Sequence, residues 1–184
     1  MQRPNYAKLH QRFSWLRDYL AQAAPPGRLP GRQDIDPTKL KALLPFINLV
    51  DVERHGEGLR FRFRLTGTLQ TEVAGREISG RYVEDAVLPQ YVERIRNNMR
   101  KCVTTGKPVY DRFPMPHPER DFIDTERVYF PLARDGQTVD MLLILNDYPQ
   151  EEDDRREASP ERRENRPAPG QESNAGQESK TPAQ

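Results

Sequence analysis

A chain of 184 residues is long enough for one domain with an extension, and an apolar share of 35% is low for a chain that folds throughout. The formal net charge of +1 implies no general attraction to nucleic acid or acidic partners, and a single cysteine excludes an internal disulfide framework. No apolar run approaches the roughly 18 residues of a membrane span, and the first residues lack the apolar run of a signal peptide. We therefore expect a cytoplasmic protein.

Residues 5–23 are predicted to form an amphipathic helix that ends at Pro25-Pro26-Gly27. Its apolar residues recur at spacings of three and four, which places them on one stripe: Tyr6, Leu9, Phe13, Leu16 and Leu20. The stripe could cover the chain's own sheet or pair with a second copy, because such spacing over about two heptads also suits a helix pair. We predict it as the contact of a homodimer or of a protein partner.

The next elements are a short helix and a first strand. Asp36 can cap the helix that Pro37 starts, and residues 39–44 form this helix until Pro45 stops it. Residues 46–52 leave almost no polar face, which indicates a buried strand.

A second strand, residues 59–65, alternates strictly. One face carries Leu59, Phe61, Phe63 and Leu65, and the other carries Arg60, Arg62 and Arg64. Two short helical turns follow, ending at Gly75 and Gly80, and Pro89 then opens a longer helix that runs to Thr104. Three more strands are predicted at 109–113, 127–133 and 138–145, the last two joined by a turn with the Asp135-Gly136 signal.

Residues 149–184 differ in composition from the rest of the chain. They contain no large apolar residue and are dominated by proline, glycine and charged or polar residues. Ordering them would cost roughly 1–2 kcal/mol per residue of backbone entropy without offsetting burial, so we predict a disordered charged tail.

Five antiparallel strands with a helical crossing between the second and third resemble the PAS fold. Short motifs in the matching order resemble the small stand-alone alphaproteobacterial PAS subfamily; they are Leu29-Pro30-Gly31-Arg32, Asp34-Ile35-Asp36-Pro37, Arg64-Leu65-Thr66-Gly67-Thr68, the run from Gly75 to Gly80, and the run from Phe130 to Gly136 followed by Val139-Asp140. The resemblance implies an α+β fold with strand order 2-1-5-4-3. It also implies an N-terminal helix and linker in 1–28, a PAS domain in 29–148 and the tail in 149–184.

The resemblance further implies a ligand pocket between the concave face of the sheet and the crossing helices. The predicted walls are Phe63, Leu65, Val73, Ile78, Tyr82, Tyr91, Ile95, Met99, Phe130 and Leu143. The same apolar residues can equally form a packed core that holds no ligand. Arg64 has two candidate roles, which are to tie down backbone carbonyls or a carboxylate such as Glu72 or Asp85, or to anchor an anionic ligand at the pocket mouth.

Catalytic and cofactor patterns are sparse. His10, His55 and His117 lie in separate segments, so we predict no metal site. The crossing helix lacks the histidine that haem-binding PAS domains use, and Cys102 lies in Arg-Lys-Cys-Val rather than in the flavin motif of light-sensing members, so we predict neither haem nor flavin. Cys102 is most simply a core residue, although Arg100 and Lys101 could make it redox-sensitive if it were exposed.

Other polar groups are interpreted as solvated. Asp111, His117, Asp121 and Asp124 form a loose polar set, and the arginines of the second strand and of the crossing helix form basic faces. We expect a non-enzymatic sensor or adaptor in bacterial signalling that acts by protein contact and binds no nucleic acid. The alternatives are an enzyme or carrier on a cone-shaped α+β fold, which would need converging polar groups in its pocket, and an RNA-binding accessory protein.

Overall fold

A five-stranded antiparallel sheet organises the chain, with the strand order β2-β1-β5-β4-β3 that the resemblance implies. A computed structural model describes residues 11–56, 58–114 and 124–147; for Val73, Ala74, Pro114 and Asp124 it describes the backbone only. The elements in chain order are α1 (Gln11–Ala23), β1 (Ile47–His55), β2 (Gly58–Thr66), α2 (Thr68–Ala74), α3 (Val83–Ala86), α4 (Pro89–Thr105), β3 (Val109–Pro114), β4 (Asp124–Leu132) and β5 (Met141–Asp147).

The interior strands β1 and β5 are buried more completely than the edge strand β2, as strands flanked on both sides should be. Every residue of β5 is buried, and β1 is buried over its first four residues. The outer edge of β2 is partly covered, because the Phe63 N–H donates to the Arg81 carbonyl at 2.9 Å and the Gly80 N–H donates to the Phe63 carbonyl at 2.6 Å. These two hydrogen bonds protect part of an edge strand that would otherwise expose unpaired backbone groups.

The concave face of the sheet packs against the crossing helices. Helix α4 buries Ile95, Met99 and Cys102 against this face. The strand residues in the same core include Val50, Phe61, Phe63, Tyr129, Leu142 and Ile144.

The convex face packs against α1 and the segment that leads to β1. Phe13, Leu16 and Leu20 of α1 are buried in one cluster with residues of β1, β4 and β5, among them Leu49, Phe130, Leu143 and Leu145. These three helix residues are therefore covered by the chain's own sheet and cannot pair with a second copy while α1 is docked. Tyr6 and Leu9, the other members of the predicted stripe, lie outside the described residues.

The short helix predicted before the first strand needs correction. Residues 37–43 form successive turns followed by a 3₁₀ helix, Leu44–Phe46, rather than one helix over 39–44, because Pro45 cannot donate to a continuing ladder. Asp36 does cap this segment, since its Oδ1 accepts from the Thr38 N–H at 2.9 Å and from the Thr38 hydroxyl at 2.7 Å.

Strand registers also differ from the alternation predicted for β2. A bulge between Leu49 and Val50 pairs Leu65 with Leu49 and Phe63 with Val50, which leaves Arg64 as the extra residue. Leu65 is consequently turned to the convex side and is 42% exposed. Among the last strands, β4 begins at Asp124 rather than at residue 127. Strand β5 begins only at Met141 rather than at residue 138, because the Asp135 carboxylate accepts hydrogen bonds from the Gln137 and Thr138 N–H groups and keeps both residues in the turn.

None of the helices within the described ranges combines the length and the apolar character needed to cross a membrane. The predicted tail over 149–184 lies outside those ranges.

Candidate functional site

The predicted pocket residues do not share one space. Phe63, Ile78, Ile95 and Met99 are buried in the concave core, with Tyr91 partly buried beside them. Phe130 and Leu143 lie on the opposite face of the sheet under α1, because neighbouring strand residues alternate between faces. Those two residues therefore share no space with the others, and the side chain of Val73 lies outside the description.

Tyr82 and Arg64 belong to a set of polar contacts along β1 and β2. The Tyr82 hydroxyl donates to Glu53 at 2.9 Å, and the guanidinium of Arg60 lies 3.6 Å from the centre of the Tyr82 ring. Arg62 pairs with Glu53 at 2.8 Å, and Arg64 pairs with Asp51 at 2.7 Å. Arg62 and Arg64 of β2 are thus paired with carboxylates of β1, and the carboxylate of Arg64 is Asp51 rather than Glu72 or Asp85.

Glu53 has a lowered pKa in this arrangement. The hydrogen bond from Tyr82 is the largest cause, and the contacts from His55 and Arg62 lower the pKa further. Sequence spacing alone could not reveal these partners, because β1 and β2 meet through cross-strand register.

A second polar set lies on the concave face between α4 and the strands β3 and β4. We call it the Arg127 cluster; its members are Arg94, Asn98, Asp111, Arg127 and Tyr129. Asp111 is buried and accepts from Arg94 Nε at 2.9 Å and from Asn98 Nδ2 at 2.6 Å. Arg94 Nη2 also donates to Asp111, and these contacts hold α4 against β3.

Arg127 is the most unusual member of the Arg127 cluster, being only 6% exposed. Its Nη2 donates to the Thr125 hydroxyl at 2.5 Å, and its guanidinium lies 3.7 Å from the centre of the Phe113 ring. Its Nε is buried and meets no acceptor among the residues that the structure describes. No carboxylate of the described residues lies within ion-pair distance of it.

Tyr129 stands beside Arg127 on the same face of β4 and is 1% exposed. Its hydroxyl is close to Asn98 and Arg127, yet neither meets it with hydrogen-bond geometry. Burial raises the pKa of this hydroxyl, so it remains a protonated donor.

Sequence reasoning missed the Arg127 cluster because it treated each member separately. The sequence predicts a solvated loop for Asp111 and a basic face for Arg94, whereas the structure buries Asp111 and pairs it with Arg94. His117 and Asp121 of that loop lie outside the described residues. The available signals were the spacing of Arg94 and Asn98, which places both on one face of a helix, and the alternation of Thr125, Arg127 and Tyr129.

Cys102 lies next to the Arg127 cluster but is fully buried, and its thiol contacts the Tyr129 carbonyl at 3.4 Å. Burial raises the pKa of the thiol to about 12. The redox role that exposure would have allowed therefore has no support.

A surface groove of about 370 Å³ lies outside the sheet, at the C-terminal end of α1. Its lining is largely apolar and includes Leu20, Pro25, Leu29, Gly106, Phe130 and Pro131. Phe130 therefore lines an external groove rather than the concave pocket that the sequence suggested.

Comparisons with known proteins agree with this architecture. A family model described as PAS domain matches residues 7–146. No protein with a curated description matches the chain.

Several solved structures are similar to it. A sensory box sensor histidine kinase from Vibrio cholerae shares 8% identity, with 78% of this chain and 98% of that chain covered and a TM-score of 0.45. The PAS domain of a protein from Colwellia psychrerythraea shares 18% identity over 63% of this chain and 99% of that chain, with a TM-score of 0.44. A LOV protein from Rhodobacter sphaeroides shares 14% identity over 62% and 68%, with a TM-score of 0.43.

Proposed function

Because this chain belongs to the PAS domain family, a family of signal-sensing domains, we propose that it is a non-enzymatic sensor or adaptor that responds to a small ligand by changing its contact with another protein. The observation that carries this proposal is the Arg127 cluster. It places buried donors without acceptors on the concave face, where the fold brings helices and sheet together. Buried polar groups normally have partners, so groups that lack them point to a bound molecule.

Binding is better supported than catalysis at this site. Converging polar groups were the feature expected of an enzyme or carrier, and the Arg127 cluster does converge. Its carboxylate, Asp111, however already accepts hydrogen bonds from Arg94 and Asn98. The pKa values of the Cys102 thiol and of the Tyr129 hydroxyl are both raised. A general base or an activated nucleophile needs a group that can lose its proton near neutral pH, and these described groups do not offer one.

Strand β4 connects the cluster to α1. Arg127 and Tyr129 face the concave side, while the alternating residues Val128 and Phe130 belong to the core that packs α1. A ligand that shifts β4 would therefore change the packing of α1, which is a population shift between two dockings of the helix.

The outer side of α1 is the proposed contact with a protein partner. Trp15 is 45% exposed and its ring stacks on that of Tyr19 at a centroid distance of 5.4 Å. Exposed aromatic side chains are enriched at protein interfaces. The buried stripe of α1 would become available to a partner or a second copy only if the helix undocked.

Neither flavin, haem nor nucleic acid is part of the proposal. The sheet-facing side of α4 carries Ile95, Met99 and Cys102, which are fully packed and include no histidine. Four of the six arginines on the two basic faces pair with carboxylates, since Arg96 pairs with Glu84 at 3.3 Å in addition to the pairs already described for Arg62, Arg64 and Arg94. Neutralised arginines provide little electrostatic attraction for a phosphate backbone.

The test uses the purified full chain. Native mass spectrometry should show a bound small molecule and the number of subunits in one spectrum. Trp15 is the only tryptophan, so its fluorescence reports on α1 when a small-molecule extract of the source cells is added. We expect the emission to change, and Trp15→Phe provides the background signal. The absence of both a bound molecule and a fluorescence response would contradict the proposal.

A further inference from the structure

Arg127 and Asp111 are direct cross-strand neighbours in the β3–β4 ladder, so they would be expected to form an ion pair. They do not, because Asp111 is taken by donors of α4, namely Arg94 and Asn98. The Arg127 cluster therefore contains two guanidinium groups and one carboxylate, and its positive charge is not balanced within the described residues.

Within the described residues, the contacts that Arg127 makes carry no negative charge. The Phe113 ring and the Thr125 hydroxyl stabilise the guanidinium only in part, and Nε remains buried without an acceptor. A buried charge that lacks a counter-charge is costly to a folded protein. A water molecule could accept from Nε, but it would leave the charge in place.

We propose that the Arg127 cluster binds a small organic monocarboxylate, with Arg127 Nε and the Tyr129 hydroxyl donating to the carboxylate oxygens. This inference rests on the proposed sensor function and names its ligand class. A monoanion neutralises the single excess positive charge, whereas a phosphate dianion would leave a buried negative charge. The neighbouring side chains of Phe113 and Met99 are apolar and buried, so the hydrocarbon part of the ligand must be short.

The experiment compares the wild-type full chain with three variants in thermal unfolding. The ligands are acetate, butyrate and benzoate at constant ionic strength, with butyramide as the uncharged match of butyrate and with inorganic phosphate and sulfate as competing anions. We expect a saturable rise of the unfolding temperature with a carboxylate and none with butyramide, phosphate or sulfate. The NMR signal of the Arg127 Nε–H group should shift over the same concentration range.

The variants separate binding from folding. Arg127→Met and Tyr129→Phe should each weaken carboxylate binding by about tenfold or more, the usual effect of losing a hydrogen bond to a charged group. Arg112→Gln is the matched control, because Arg112 lies on β3 but faces the other side of the sheet, and it should leave binding unchanged. Without ligand, Arg127→Met should unfold at the same temperature as the wild type or higher, because it removes an unbalanced buried charge.

The inference is overturned if no carboxylate stabilises the wild-type chain, if phosphate or sulfate binds instead, or if Arg127→Met binds carboxylate as well as the wild type. A marked loss of ligand-free stability in Arg127→Met would also overturn it, since that result assigns Arg127 a structural role. If native mass spectrometry finds an uncharged ligand, the sensor function stands and this inference fails. If no small molecule of any kind binds, the proposed sensor function and the carboxylate inference both fail.

Discussion

Cys102 shows how burial sets the chemistry of a side chain. Its neighbours Arg100 and Lys101 would favour a reactive thiolate on an exposed surface, but the thiol lies in the concave core and its pKa rises to about 12. At pH 8 only about one thiol in ten thousand is then ionised. We expect the native chain to be almost inert to a thiol reagent such as DTNB and the chain in denaturant to react fully. Fast reaction of the native chain would show that the thiol is accessible.

The ionisation of Glu53 depends chiefly on one neighbour, Tyr82. Its pKa is lowered from an ordinary value of 4.5, chiefly by the Tyr82 hydroxyl. A lowered folded pKa stabilises the protein above the unfolded pKa, and this contribution is lost as the pH falls through the folded value. We expect Tyr82→Phe to raise the pKa of Glu53 towards 4.5 and to reduce the loss of stability in acid.

An NMR titration of the Glu53 side-chain carboxyl carbon measures this shift. Asp36 serves as an internal control, because Thr38 lowers its pKa and Tyr82 does not contact it. A Glu53 pKa that stays equally low in Tyr82→Phe would assign the effect to Arg62 and His55 instead.

At the scale of elements, Gly67 explains why β2 can pass directly into α2. Its N–H donates to the Ile47 carbonyl at 2.8 Å, and a methyl group at this position would collide with the carbonyl oxygens of Leu44 and Pro45. The glycine in the Arg-Leu-Thr-Gly-Thr motif is therefore required by a close approach of two backbones. We expect Gly67→Ala to lower the free energy of unfolding by about 1–3 kcal/mol, as overpacking usually does.

Chemical denaturation measures this change, and Gly58→Ala is the matched control. A methyl group at Gly58 would meet only the His55 carbonyl oxygen, at 3.4 Å, so the change should stay within about 0.5 kcal/mol. If Gly67→Ala and Gly58→Ala lowered the free energy of unfolding equally, the close approach of two backbones would not be the reason for glycine at position 67.

At the scale of the whole molecule, α1 and the crossing helices share one sheet. The helix buries Phe13, Leu16 and Leu20 on the convex face, and β4 contributes residues to both cores. We expect one cooperative unfolding transition, in which Trp15 fluorescence and far-UV circular dichroism have the same denaturant midpoint. An earlier fluorescence midpoint would show that α1 undocks separately.

The same sharing explains why the sequence left the cover of the α1 stripe open. Periodicity showed that residues such as Phe13, Leu16 and Leu20 form an apolar stripe, and an apolar stripe needs a cover. It could not show whether the cover is a second copy or the chain's own sheet, because both present the same apolar surface. Tertiary packing assigns it to the sheet.

The sequence by itself determined the element order and, through its resemblance to PAS domains, the strand order. These properties follow from local periodicity and from short motifs, both of which are written along the chain. Only the tertiary structure decided that Phe130 and Leu143 face α1, that Arg64 pairs with Asp51, and that Arg127 is buried beside Asp111 without pairing with it. Those facts depend on strand register and on competition between partners distant in sequence, and a shift of one residue reverses the face of every side chain that follows.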